Sequence, residues 1–87
     1  MKIVKIYSFK ECPYCNELKA RLTAMNIEYI DVDVMLPENK NDYNMVVEFT
    51  KCHDLPIISI DYQLLIPETS FRSIEQAAEV TRNLLSN

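Results

Sequence analysis

The 87-residue chain contains no glycine, although average composition would supply roughly six in this length. Every tight turn must therefore use Asn, Asp, Ser or Pro, and positions that need a positive φ are expected to fall to Asn and Asp. No glycine-rich phosphate cradle can form, which excludes a P-loop and a dinucleotide-binding fingerprint. Cations are also in short supply. Nine Lys and Arg face thirteen Asp and Glu, for a net charge of −4, a field that repels nucleic acid and anionic lipid. No apolar run approaches a membrane span. The opening MKIVKIYSF is broken by Lys5 and is shorter than a signal-peptide core, so a cytoplasmic protein without nucleic-acid or membrane partners is expected. The three cysteines are too few, and odd in number, for a disulfide scaffold, which points to reactive or metal-binding thiols.

What is present is the balance of a foldable domain. Nearly half the residues are apolar and a quarter are charged, and the length suits one domain over residues 1–87, expected as a monomer with one site. Residues 2–9 are rich in Ile, Val, Tyr and Phe on both alternating sets, as in a strand covered on both faces. From Pro13 to Met25, Cys15, Leu18, Leu22 and Met25 recur at helical spacing while Glu17 and Arg21 pair on another face. Asn26 is a candidate left-handed stop. IEYIDVDVM then alternates, with Ile30, Val32 and Val34 predicted inward and Asp31 and Asp33 outward, completing a βαβ unit. A polar LPENKNDYN leads to a second helix over about 41–52 that buries Tyr43, Val46, Val47 and Thr50. Ile57–Ile60 and Gln63–Ile66 form a hairpin about Asp61-Tyr62. Ser73 and Gln76 stand at capping-box spacing before Ile74, Ala77, Ala78, Thr81, Leu84 and Leu85, which share one helical face.

Chemistry concentrates in Cys12-Pro13-Tyr14-Cys15, where the first strand hands over to the first helix. Pro is suited to the first helical position, so Pro13 puts Cys12 at the N-cap. Free N–H groups and the positive dipole end there favour thiolate over thiol. Lys10 adds to this effect and Glu11 opposes it. Cys15 falls on the apolar face with Leu18 and Leu22, which makes it the second-acting, resolving thiol. The competing reading of a C-x-x-C is half a zinc site completed by Cys52 and His53. Their adjacency does not match the spacing such sites use. Cys52 otherwise reads as a packed thiol and His53 as a helix-end residue with a dipole contact. Tyr14, between the cysteines, is placed on a substrate groove, and Phe71, Tyr43 and Phe49 are read as core.

CPYC after KIVKIYSF, followed by LPIISI and a closing helix, resembles the glutaredoxins over essentially the whole chain. That resemblance implies an α/β, thioredoxin-like fold: a four-stranded mixed sheet with helices on both faces, in the order β-α-β-α-β-β-α. It implies a thiol-disulfide oxidoreductase with Cys12 as nucleophile and Cys15 as resolving thiol, no tightly bound cofactor, and glutathione as reducing co-substrate. Its partners would be disulfide-containing proteins. It also implies that Pro56 is a cis proline facing the cysteines and that the Leu55 backbone pairs with an extended substrate, which gives Lys10, Tyr14, Leu55 and Pro56 as substrate-binding residues. Two departures stand out. Glutaredoxins carry a Gly-Gly turn where this chain reads PETSFRSIEQ, and a basic residue three before the first cysteine where it has Phe9. SFRSIEQ is similar to the glutaredoxin-like hydrogen donors of ribonucleotide reductase, which draw electrons from thioredoxin reductase. The resemblance further allows an iron–sulfur cluster shared between two subunits through Cys12 and glutathione.

Overall fold

A computed structural model describes residues 2–86. In chain order it comprises β1 (Val4–Ser8), α1 (Pro13–Ala24), β2 (Ile30–Asp33), a 3-10 turn (Pro37–Asn39), α2 (Lys40–Thr50), β3 (Ile57–Ile60), β4 (Gln63–Leu65) and α3 (Ile74–Ser86). The strands lie in the order β2-β1-β3-β4. β1 runs parallel to β2, with Tyr7 opposite Val32, and antiparallel to β3, with Ile6 opposite Ile58. β3 and β4 form the antiparallel hairpin.

Strand alternation assigns each face of this mixed sheet its helices. Val4, Ile6, Ile58 and Ile60 point to one side, where Leu18 and Leu22 of α1 and Ile74, Ala77 and Ala78 of α3 cover them. Tyr7, Val32 and Ile57 point to the other side and meet Val46 of α2. The buried Tyr7 hydroxyl donates to Asp42 Oδ1 at 2.8 Å, tying β1 to α2. Burial first, and then the Asp42 carboxylate, push the Tyr7 pKa up, so the phenol stays a donor. Ser8, fully buried on the opposite face, donates to Asp31 Oδ1 at 2.6 Å, and Lys19 of α1 pairs with the same carboxylate at 2.9 Å. Among the described residues no helix is long and apolar enough to cross a membrane.

Several sequence expectations are corrected. Ile30 is 52% exposed, not inward: β2 is an edge strand, and Ile30 begins it opposite the half-exposed Lys5. Phe49 is 79% exposed and is no core residue. Val46 is the buried residue of α2, and Tyr43, Val47 and Thr50 are only half-buried. Asn26 (φ 60°) and Asp61 (φ 52°) take the left-handed turns as expected, but Lys51 (φ 58°) and Glu68 (φ 69°) do so as well. Lys51 closes α2 by donating its N–H to the Val47 carbonyl at 2.7 Å, so hydrogen bonding to the helix end outweighs side-chain preference there. At α3 the Ser73 hydroxyl accepts the Gln76 N–H at 3.0 Å, while Gln76 Oε1 accepts from Arg72 N instead of Ser73 N.

Burial raises the Asp31 pKa, but the hydrogen bonds from Lys19 and Ser8 outweigh it and leave a net lowering from 3.8. The carboxylate therefore stabilises the fold above its unfolded pKa, and that contribution disappears as pH falls through the lower folded value. Replacing Lys19→Met should cost under about 1 kcal/mol at neutral pH, as for a partly exposed pair. Denaturant titrations should show this gap between wild type and variant closing as acidification protonates Asp31.

Candidate active site

Cys12 sits where an extended backbone (φ −88°, ψ 107°) turns into α1, with Pro13 in the first turn. Its N–H donates to the Phe9 carbonyl at 3.2 Å and its carbonyl accepts from Asn16 N at 3.0 Å, so both of its backbone groups are fixed. The Cys15 amide donates to Cys12 Sγ at 3.2 Å. The two cysteines are joined as a disulfide with their Cα atoms 5.2 Å apart, which one helical turn accommodates. Cys12 is 4% exposed and Cys15 is fully buried. The pair is thus ordered in depth, with one sulfur at the surface of the site and one beneath it.

An open groove of about 900 Å³ lies over Cys12. Phe9, Pro13 and Tyr14 form one wall. His53, Asp54, Leu55 and Pro56 form a second, and Pro67, Glu68, Phe71 and Arg72 with the start of α3 form a third. The Leu55–Pro56 peptide is cis. The Tyr43 hydroxyl donates to the His53 carbonyl at 3.4 Å and so holds this loop to α2. Burial, followed by the neighbouring Cys52 and Asp54, raises the Tyr43 pKa, and the phenol remains protonated to do this.

Of the residues singled out in the sequence, the groove brings together Cys12, Tyr14, Leu55 and Pro56, with Cys15 underneath. Tyr14 is 64% exposed and forms the lip. Lys10 is exposed in the preceding turn and is not part of the lining; its carbonyl accepts from Asn16 Nδ2 at 3.0 Å. His53 stands on the groove wall and Cys52 lies half-buried beside it, its thiol 3.8 Å from the Asp54 carbonyl. His53 thus shares the groove with Cys12, whereas Cys52 is not part of the lining. Among the described residues no group of three or more His, Cys, Asp or Glu is arranged to hold a metal ion.

The third wall is the stretch where the resemblance implies a Gly-Gly turn and where this chain departs from it. PETSFRSIEQ lacks glycine, yet Glu68 adopts a positive φ and donates its N–H to the Phe71 carbonyl at 2.8 Å, while Ser70 Oγ accepts from Ile66 N at 3.0 Å. The turn is kept and carries a carboxylate side chain. Beside that resemblance, the local sequence signal is the density of Pro, Thr and Ser between β4 and α3.

The glutaredoxin family model matches residues 4–65. An "uncharacterized glutaredoxin-like 8.6 kDa protein in rubredoxin operon" of Clostridium pasteurianum is 30% identical over 64 residues, covering 74% of this chain and 83% of that protein. Among solved structures, reduced glutaredoxin C1 of Populus tremula x tremuloides superposes with TM-score 0.68 at 22% identity, over 95% of this chain and 68% of that one. A buckwheat glutaredoxin–glutathione complex gives TM-score 0.70 at 13% identity, over 94% and 70%. The Archaeoglobus fulgidus glutaredoxin gives 0.69 at 16% identity, over 94% and 88%. These likenesses establish the thioredoxin-like fold.

Once reduced, Cys12 keeps its place at the α1 N-terminus, where amide dipoles favour the anion. In a Cys15→Ser background, alkylation by iodoacetamide followed by mass spectrometry should give a midpoint for Cys12 below the ordinary thiol value of about 8.5. A midpoint at that value would remove the dipole from the account.

Proposed function

From the premise that this chain belongs to the glutaredoxin family, and is accordingly a thiol-disulfide oxidoreductase, we propose that Cys12 is its nucleophile and Cys15 its resolving thiol. The disulfide at the start of α1, with the shallower sulfur on the groove floor, carries this reading. The Cys12 thiolate attacks one sulfur of a substrate disulfide. A Cys12–substrate disulfide forms, and the other half leaves as a thiolate and takes up a proton. Cys15 then loses its proton and attacks Cys12 Sγ, which closes the intramolecular disulfide and releases the second substrate thiol. Two glutathione molecules return two electrons and depart as glutathione disulfide.

Within that scheme the Leu55 backbone pairs with an extended substrate segment, as in strand addition, and Pro56 faces the exchanging sulfurs. Tyr14 covers the substrate from the lip, and Lys10 adds positive charge at the approach. Support for glutathione comes from the buckwheat relative, whose structure is of a glutathione complex. A second reading takes electrons from thioredoxin reductase and passes them to ribonucleotide reductase. The third wall favours it, since the stretch that holds Glu68 and Arg72 has no counterpart of the Gly-Gly turn that the resemblance implies for glutaredoxins.

Replacing Cys12→Ser should reduce disulfide reduction to the uncatalysed background in a coupled NADPH assay. Cys15→Ser separates the two readings. Reduction of glutathione mixed disulfides should persist if glutathione is the donor, whereas turnover driven by thioredoxin reductase should vanish with the resolving thiol.

A further inference from the structure

The groove is marked as a site by Cys12; its charges determine what can enter it. Six charged side chains from three separate segments line it: Glu17 and Arg21 from α1, Asp54 from the loop before β3, and Glu68, Arg72 and Glu75 from the turn before α3 and the helix's first turn. Four carboxylates face two guanidiniums, a formal net charge of −2. Arg21 is already committed to Glu17 at 3.0 Å. Arg72 makes no ion pair among the described residues and is the cation left to offset Asp54, Glu68 and Glu75. The negative excess of the whole chain is thus repeated at the site, in a cleft whose apolar surfaces, including Phe9, Leu55 and Pro67, help focus the field.

Resting on the Cys12 reading above, we propose that this groove selects protein disulfides whose cysteine is flanked by Lys or Arg, and disfavours anionic disulfides. A substrate sulfur reaches Cys12 only when its neighbours lie along the walls. One side then meets Asp54 beside the Leu55–Pro56 peptide, and the other meets Glu68 and Glu75. A cationic flank gains from both walls. Glutathione, with two carboxylates and one ammonium, is a net anion entering a net negative groove, so it is suited to the role of abundant reductant more than to that of the selected oxidised substrate. The reacting bonds are those already given: one substrate S–S bond breaks and one Cys12–substrate S–S bond forms.

The test uses prereduced full-length protein and three synthetic peptides that differ only in whether Lys, Gln or Glu flanks a central cysteine, each activated as a mixed disulfide with pyridine-2-thiol. Attack by Cys12 on the peptide sulfur releases pyridine-2-thione, followed by its absorbance. Dividing each rate by that for 2-mercaptoethanol removes differences in intrinsic reactivity. The Lys-flanked peptide should react roughly tenfold faster than the Glu-flanked one at low salt, as expected for a few exposed charge pairs. The ratio should fall toward one as salt shortens the screening length. Glu68→Gln combined with Glu75→Gln should lower the ratio, and Arg72→Gln should raise it; reading a ratio cancels any loss of folded protein. A low-salt ratio at or below one, or one insensitive to salt and to these substitutions, overturns the proposal. Failure of all three peptides to react overturns the Cys12 reading instead.

Discussion

The Cys15 amide donating to the Cys12 sulfur is the contact on which the molecule's chemistry depends, because it exists only if α1 begins at Pro13. An earlier start would wind Cys12 into the helix and bring both sulfurs to similar depth. A later one would remove the free amides from its reach. The sequence enforces this start twice. Proline is suited to the first helical turn, and the Cys12 N–H is taken up by Phe9 outside the helix. Pinning Leu18 and Leu22 against Ile6 and Ile58 then fixes the rotation of α1 and leaves Cys15 facing inward.

Rigid support on one side is matched by looser construction opposite. Cys12 rides on a helix packed into the larger core cluster. The walls that receive the substrate are loops: one tied to α2 through Tyr43 and His53, the other closed on itself by Glu68, Ser70 and Phe71. Reactive atoms held on regular elements and recognition placed on connecting segments is a division suited to an exchange enzyme.

Local signals made much of this readable from sequence. Pro13 announced the helix start, Asn26 and Asp61 took the turns their side chains tolerate, and Ser73 capped α3. What escaped was set by distant neighbours. Alternation placed Ile30 on the inward face but could not report that it begins an edge strand and stays 52% exposed. Phe49 has a core side chain on the outward face of its helix. Glu68 and Lys51 accept a backbone that their residue types disfavour because nearby carbonyls reward it. The third wall lies more than fifty residues from Cys12 in the chain, so the resemblance marked it and periodicity could not.

The sheet's two outer rims have a consequence of their own. β2 has four residues, two of them aspartates, and β4 has only three. Such short borders are poor templates for another copy's strand, and on β2 the two aspartates would also repel their own counterparts. A thiol-disulfide oxidoreductase with such borders is thereby discouraged from stacking into fibrils.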